Sequence, residues 1–131
     1  MFGFLKKKSK SADNFLRFCE RADDALMLCY EQRDVHAVIP YFATPLLHAI
    51  HEELLSGDDM LQEYGIAKYR NRTWDGKRTV DDTHFSIIKR IRHENVYIRG
   101  MVSIPVGDDI DEEWIVEQNG AEWRVCEMRR I

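Results

Sequence analysis

A chain of 131 residues in which 44% of the side chains are apolar and 32% are charged has room for one domain with its own core, and its composition is typical of a globular protein. Its net charge of −4 disfavours nucleic-acid binding, which needs a basic face, and no run approaches the ~20 apolar residues that cross a bilayer. The odd cysteine count without a C-x-x-C spacing indicates neither a disulfide framework nor a zinc site, so we expect buried Cys19 and Cys29 and a cytoplasmic protein.

The first ten residues, MFGFLKKKSK, place three apolar side chains ahead of four lysines. A secretory signal has the opposite order and a longer apolar region. We therefore predict a flexible basic tail over residues 1–10 and a single domain over residues 11–131. The alternative for the tail is a weak peripheral contact with a membrane, in which the apolar side chains enter the interface and the lysines meet anionic headgroups.

The segment after the tail has the spacing of a long amphipathic helix. Apolar side chains recur three and four positions apart from Phe15 to Tyr30, and Ser11 is a suitable N-cap. Arg17 and Arg21 fall on the opposite face of this helix, which the pattern assigns to solvent.

Start and stop signals predict two further helices. Asp34 is the expected cap of a short helix that ends before Pro40, because proline cannot continue a helix without losing a hydrogen bond. Thr44 is the expected cap of a third helix over residues 45–56, which begins with a proline and ends at Gly57.

After Asp59 the chain consists of segments rich in β-branched and aromatic residues, separated by turn signals. The predicted strands cover residues 64–74, 84–93, 95–104, 112–118 and 121–130. Asn119-Gly120 is the strongest hairpin signal among the turns. Helices followed by an antiparallel meander predict an α+β fold, in which the N-terminal helices pack on one face of a curved sheet.

Pairing these strands through their turns predicts one continuous apolar face. The pairs on it are Phe85 with Ile104, Ile87 with Val102, Lys89 with Gly100, Ile91 with Ile98, Trp114 with Val125 and Val116 with Trp123. The other face carries a row of Arg90, Arg99, Glu117 and Glu122 beside a row of Ile88, Met101, Ile115 and Arg124. This outer face is either a solvated charge ladder or the interface of a homodimer.

Lys89 is the one cation that this register places on the inner face, and Gly100 leaves room beside it. Two interpretations stay open: a bulge or snorkelling turns Lys89 toward solvent, or Lys89 contacts an anionic headgroup or carboxylate in a pocket. Under the second interpretation, Trp114 and Trp123 from the sheet and His51 from the rim of the third helix also line the ligand pocket.

His48 and His51 are three residues apart and could share a metal, but no third ligand is identifiable and HAIHE differs from the zinc-hydrolase motifs. We therefore expect no metal and no other cofactor. His51 or a carboxylate such as Asp34 could act as a base, with Tyr41 or Tyr64 as the donor, yet nothing in the sequence fixes such a constellation.

Two stretches carry a resemblance to a known family: YEQRDVHAVIPYFATPLLHAIHEEL between the helices and WIVEQNGAEWRVCEM at the end of the chain. Together with the order of elements they resemble the nuclear transport factor two-like superfamily, the cystatin-like α+β cone. Within it, the pattern is most similar to the C-terminal domain of the mitochondrial inner-membrane translocase tether and its bacterial relatives. Those domains share an aromatic-rich first helix, an Arg-Asp turn and a Thr-Pro-led helix, here Phe15 to Tyr30, Arg33-Asp34 and Thr44-Pro45.

The resemblance implies a concave sheet whose helices leave a pocket, which different members use for protein docking, lipid contact, dimerisation, or isomerase and cyclase chemistry. The isomerase-like members have an acidic base and a paired acid donor inside the cone, whereas the inner face predicted here has Lys89 and Trp114 and no aspartate. We therefore expect a non-enzymatic domain that binds a protein segment or an amphipathic ligand in its pocket. The alternative is a small-molecule isomerase or cyclase of the same fold.

Overall fold

Helices occupy the first part of the chain and strands the second, as the sequence predicts. The computed structural model describes the backbone of residues 2–57, 72–92, 94–98, 102–106 and 109–131, and the side chains of residues 14–57, 72–92 and 109–131. The described elements are α1 (Phe2–Gln32), a 3-10 helix (Val35–Val38), α2 (Thr44–Ser56), β1 (Arg72–Thr79), β2 (His84–Ile91), β3 (Glu94–Ile98), β4 (Val102–Val106), β5 (Ile110–Asn119) and β6 (Glu122–Arg130). The predicted α+β fold is confirmed.

Helix α1 buries the apolar face that its spacing predicts. The buried side chains of this face are Phe15, Cys19, Ala22, Asp23, Leu26, Cys29 and Tyr30. The helix begins at Phe2, so the predicted N-cap at Ser11 is wrong: lysine, leucine and alanine favour helix, and the chain continues through Ser11 without a break. Residues 2–10 are thus helical, and the division of the chain into a flexible tail and a domain stays a prediction.

The connection between the helices follows its predicted stop and start signals. The carboxylate of Asp34 accepts a 3.0 Å hydrogen bond from the backbone N–H of His36 and so caps the 3-10 helix. Helix α2 ends at Gly57, whose φ of 79° is in the left-handed region that glycine adopts at low cost. Its N-cap is Ala43, so Thr44 is already the first helical residue.

The four strands β1, β2, β5 and β6 form one antiparallel sheet in the order β1-β2-β5-β6, and β3 pairs only with β4 among the described strands. The single strand predicted over residues 95–104 is therefore wrong, since Ile98 pairs with Val102 and the chain reverses between them. The apolar alternation continues on both sides of this reversal, which made one hairpin resemble one strand. Strand β2 pairs with β1 and β5 instead, so its predicted pairing with residues 98–104 is also wrong.

The last hairpin is displaced by two residues from the predicted register. Val116 pairs with Val125 instead of Trp123, because Gly120, not Asn119, is the first residue of the turn. A bulge between Ile115 and Val116 adds one further residue, so Trp114 pairs with Met128. A shift of two residues preserves the face of each side chain. On the predicted inner face, Ile87, Lys89, Ile91, Trp114, Val116 and Val125 are buried, and Phe85 and Trp123 are partly buried. Gly100 and the side chains of Ile98, Val102 and Ile104 lie outside the described residues.

The first strand differs from its prediction at both ends. Residues 64–71 lie outside the described residues, and WDGK, predicted as a turn, lies within β1. The register with β2 shifts between Asp75 and Arg78. This irregularity leaves Lys77 with its ammonium 4.0 Å from the ring centroid of Phe85 and 5.0 Å from that of Phe15.

Candidate functional site

Lys89 lies on the inner face of β2, as predicted, and is fully buried at 0% exposure. Its Nζ donates a 2.8 Å hydrogen bond to Asp23 Oδ1 on α1 and lies 3.3 Å from Glu112 Oε1 on β5. The interpretation in which Lys89 turns toward solvent is therefore wrong. Its predicted neighbour Gly100 lies outside the described residues, and the strand neighbours of Lys89 are Trp74 and Glu112.

Asp23 connects Lys89 to a second cation. Its Oδ2 accepts a 2.6 Å hydrogen bond from Arg72 on β1, and Arg72 also donates to the exposed carboxylate of Asp24. Burial alone would lower the pKa of Lys89, but the charges of Asp23 and Glu112 outweigh it and raise that pKa. The carboxylates that Lys89 contacts thus belong to the chain itself, and the buried network joins α1 to three strands.

Trp114 fills the interior beside this network. Its ring packs edge-on against Trp74 at 5.1 Å and Phe42 at 5.8 Å, and the ammonium of Lys89 lies 5.0 Å from its centroid. Its indole Nε1 donates to Glu112. The residues clustered with it in the core include Phe15, Ile87, Val116 and Val125. Trp114 is accordingly a packing residue in the described part of the sheet.

An open pocket of about 260 Å³ lies elsewhere, where α1 meets the connection before α2 and strand β6. Its lining residues are Asn14, Arg17, Phe18, Arg21, Tyr41 and Trp123. Three of these are aromatic, and Phe18 contacts the other two: it packs edge-on against Trp123 at 5.5 Å and is tilted against Tyr41 at 6.0 Å. The pocket therefore has an aromatic wall and a rim of polar helix residues.

Backbone hydrogen bonds hold the walls of this pocket together. The N–H of Val125 donates to the carbonyl of Tyr41, and the N–H of Ala43 donates to the carbonyl of Val125, both at 2.8 Å. These bonds form an isolated parallel bridge between Phe42 and Val125. Since Trp123 lies on the same strand as Val125, the bridge fixes Tyr41 and Trp123 relative to each other.

Arg17 and Arg21 are exposed, one helical turn apart, and make no ion pair with any residue that the structure describes. Five other arginines of the described chain form ion pairs: Arg72 with Asp23 and Asp24, Arg90 with Asp75 and Asp111, Arg92 with Asp111, Arg124 with Glu122 and Arg129 with Glu113. Two like charges four residues apart on a helix repel each other by tenths of a kcal/mol. The pocket rim is therefore positively charged in a chain whose net charge is −4.

The indole Nε1 of Trp123 is buried and has no hydrogen-bond partner in the described part of the structure. A buried donor without a partner costs about 1–3 kcal/mol. Trp123 thus contributes ring contacts to the pocket wall without the polar contact that Trp114 makes to Glu112.

The structure brings only part of the predicted pocket together: the ammonium of Lys89 lies 5.0 Å from the ring centroid of Trp114, and Gly100 lies outside the described residues. Trp123 lines the open pocket, Lys89 and Trp114 lie in the core, and His51 is exposed on α2. Sequence reasoning placed Arg17 and Arg21 in solvent, which is correct, and missed that they border a pocket. No local sequence pattern predicts this pocket, because its opposite wall includes Trp123, which lies more than 100 positions further along the chain.

The other candidate reactive groups have structural roles or no partner of the required kind. Asp34 is exposed, and the backbone N–H of His36, followed by its ring, lowers the pKa of this carboxyl. Burial raises the pKa of the Cys19 thiol to about 12, which leaves it protonated and unreactive. Within the described ranges, no group of three or more His, Cys, Asp or Glu side chains could hold a metal ion.

The outer sheet face is arranged differently from the predicted rows. Arg90 lies opposite Thr73 and Asp111, and its guanidinium binds Asp111 at 2.7 Å and Asp75 at 3.1 Å. Glu117 lies opposite His84. Arg99 and Met101 fall outside the described residues, and a homodimer through this face stays a prediction.

His84 is clamped at the end of the sheet between Asp81, 2.9 Å from its Nδ1, and Glu117, 3.1 Å from its Nε2. The hydrogen bond to Asp81, together with both negative charges, raises the pKa of His84 above its ordinary 6.5. The backbone N–H of Thr83, followed by the ring of His84, lowers the pKa of Asp81 to about 2. Both ring nitrogens can donate to their carboxylates only when the imidazole is charged.

We expect the Asp81→Asn substitution to lower the pKa of His84 toward 6.5, because it removes the nearer carboxylate. Since the folded pKa is raised, the charged clamp stabilises the fold fully below pH 6.5 and is lost as the pH rises through the folded value. NMR titration of the His84 ring measures this shift, with Asp82→Asn as the neighbouring control. A His84 that titrates at or below 6.5 in the unmodified protein would contradict the clamp.

No helix in the described part of the chain is both long enough and apolar enough to cross a bilayer. The side chains of residues 1–13 lie outside the described residues. The membrane contact predicted for residues 1–10 therefore stays a prediction.

No model of a known protein family matches this chain, and no curated protein matches it either. The resemblance to the nuclear transport factor two-like superfamily consequently stays a hypothesis. The fold itself is shown: two N-terminal helices pack on a four-stranded antiparallel curved sheet.

Proposed function

We propose that this chain is a non-enzymatic binding domain and that its binding site is the pocket formed by α1, Tyr41 and Trp123. The observation that carries the proposal is the contrast between this pocket and the sheet interior. The interior is packed by Trp114 and its neighbours, whereas the pocket is open and combines three aromatic rings with two arginines. Such a combination suits an amphipathic partner, whose apolar part meets the rings and whose polar part meets the rim.

The same contrast argues against an isomerase or cyclase. A catalytic acid or base must reach a substrate atom within hydrogen-bonding distance. The carboxylates of Asp23 and Glu112 both pair with Lys89 between α1 and the sheet, and Asp23 and Lys89 are fully buried. Among the residues whose side chains the structure describes, those that line the open pocket include no carboxylate and no histidine.

A neutral aromatic probe tests this function directly. We expect N-acetylphenylalanine amide to perturb the indole N–H signal of Trp123 in a ¹H–¹⁵N correlation spectrum while leaving that of Trp114 unchanged. The three tryptophans give three indole signals, and the Trp123→Phe variant assigns the one from the pocket. Because only one side chain of the probe is buried, we expect a dissociation constant in the millimolar range. An NMR titration detects binding of this strength.

Phe18→Ala should abolish the perturbation by removing one ring of the pocket wall. Leu55→Ala, at an exposed apolar residue on α2 away from the pocket lining, is the matched control and should leave it intact. The proposed site would be contradicted if the probe shifted the indole signal of Trp114 instead, or if it shifted none of the indole signals at probe concentrations up to tens of millimolar.

A further inference from the structure

Resting on the proposed function, we infer that the occupant of the pocket is an acidic peptide segment that inserts one large apolar side chain. The aromatic wall receives the side chain, and Arg17 and Arg21 bind carboxylates that flank it. Three observations support this occupant: the size of the pocket, its charge and the fixed position of its walls.

The size of the pocket matches a single anchoring side chain. Pockets that enclose whole small molecules have volumes of about 300–1,000 Å³. The volume here is about 260 Å³, and the pocket opens to solvent along its rim. It can thus take up one aromatic or large aliphatic side chain, while the rest of the ligand must lie outside it. A peptide has this form, with one buried anchor and a backbone that continues over the surface.

The charge of the rim selects an acidic segment. Arg17 and Arg21 line the pocket and have no ion-pair partner in the described part of the chain. Guanidinium groups bind carboxylates through two parallel hydrogen bonds. Two carboxylates in the ligand would also relieve the repulsion between Arg17 and Arg21.

An anionic nucleic acid fits these features less well. Stacking of successive bases needs a groove that follows the backbone, and phosphate binding needs a surface with a broad excess of basic residues. The pocket at Trp123 has the size of one side chain, and the chain carries a net charge of −4. The positive charge is thus local, and it suits the few carboxylates around one anchor.

The walls are positioned before the ligand arrives. The hydrogen bonds between Val125 and the segment Tyr41–Ala43 hold the two aromatic walls, and α1 supplies the arginines from a regular helix. A preformed site loses little conformational entropy on binding, which favours recognition of a short segment.

The test uses three pentapeptides with blocked ends: EEFEE, QQFQQ, which keeps the anchor without charge, and EEAEE, which keeps the charge without the anchor. Dissociation constants are measured from the indole N–H shift of Trp123 at low ionic strength. We expect EEFEE to bind about tenfold more tightly than QQFQQ, since each exposed charge pair contributes modestly, and EEAEE to bind at least tenfold more weakly than EEFEE. Salt at about 0.5 M should remove most of the advantage of EEFEE.

The Arg17→Gln and Arg21→Gln double variant should bind EEFEE and QQFQQ equally. Arg78→Gln, at an exposed arginine outside the pocket lining, should keep the full preference for EEFEE. Near-UV circular dichroism checks that both variants are folded.

The outcomes separate the two proposals. Equal binding of QQFQQ and EEFEE at Trp123 overturns the acidic ligand and leaves the binding pocket in place, whereas failure of every peptide and of N-acetylphenylalanine amide overturns both. A thymidine octanucleotide that binds at Trp123 as tightly as EEFEE would replace the peptide by a nucleic acid and so overturn this inference.

Discussion

The Asp23→Ala substitution is expected to lower the free energy of unfolding by about 3–5 kcal/mol, because it removes the carboxylate that the buried Lys89 and the partly buried Arg72 share. Asp23 is 0% exposed and contacts Lys89 at 2.8 Å and Arg72 at 2.6 Å. Urea denaturation followed by circular dichroism measures the change.

The neighbouring Asp24→Ala is the control for this prediction. Asp24 binds the same Arg72 but is exposed, so its loss should cost less than about 1 kcal/mol. Equal losses for the two variants would show that the buried network contributes no more than a surface ion pair. A second check compares the double variant Asp23→Leu with Lys89→Met against its two single variants. Because the double variant removes both charges of the pair, its free energy of unfolding should be higher than that of either single variant.

The same network defines an alkaline limit. Because the folded pKa of Lys89 is raised above 10.5, the contribution of its charge is complete below pH 10.5 and is lost as the pH rises through the folded value. Lys89 therefore stays charged across the neutral pH range, and its contribution to the free energy of unfolding does not vary with pH there.

The Trp114→Ala substitution is expected to destabilise the fold by about 3–5 kcal/mol through the cavity that it leaves. Trp114 is 0% exposed, and its ring contacts Phe42 from the connection before α2, Trp74 from β1 and Lys89 from β2. No neighbouring element can close such a cavity without losing contacts elsewhere. Thermal and urea unfolding measure the loss.

A matched pair of substitutions tests the polar contribution of this residue. Trp114→Phe removes the Nε1 that donates to Glu112, and Trp123→Phe removes an Nε1 that has no described partner. The first should cost about 1–3 kcal/mol more than the second, because only the first removes a hydrogen bond, here one to a charged acceptor. Equal costs would contradict the hydrogen bond between Trp114 and Glu112.

The sequence predicted correctly which side chains face the inside of the sheet, but it predicted the pairing of the strands poorly. The alternation of side chains assigns Ile87, Lys89, Trp114 and Val116 to the inner face whatever their neighbours are, and burial confirms it. The partners depend on turn positions, and an error of one residue at Asn119-Gly120 displaces the register by two. The hairpin of β3 and β4 was missed because its apolar alternation continues across the reversal.

Asp23 could have been found from the sequence. It lies four residues after Cys19 and three before Leu26, so helical spacing places it inside the apolar face of α1. An inward lysine on the sheet needs a buried counter-charge, and Asp23 is an acidic residue on that face. The pocket at Trp123 could not be found this way, since it depends on the tertiary position of Tyr41 between α1 and β6.

The bridge between Phe42 and Val125 has a consequence for the motions of the protein. Local opening of the edge strand β6 at this point would break the hydrogen bonds of Ala43 and Val125 and would separate Tyr41 from Trp123 at the same time. The pocket is therefore competent to bind only while this edge of the sheet is closed, and the two open and close together. A ligand that occupies the pocket must slow amide hydrogen exchange at Ala43 and Val125, although neither residue lines the pocket.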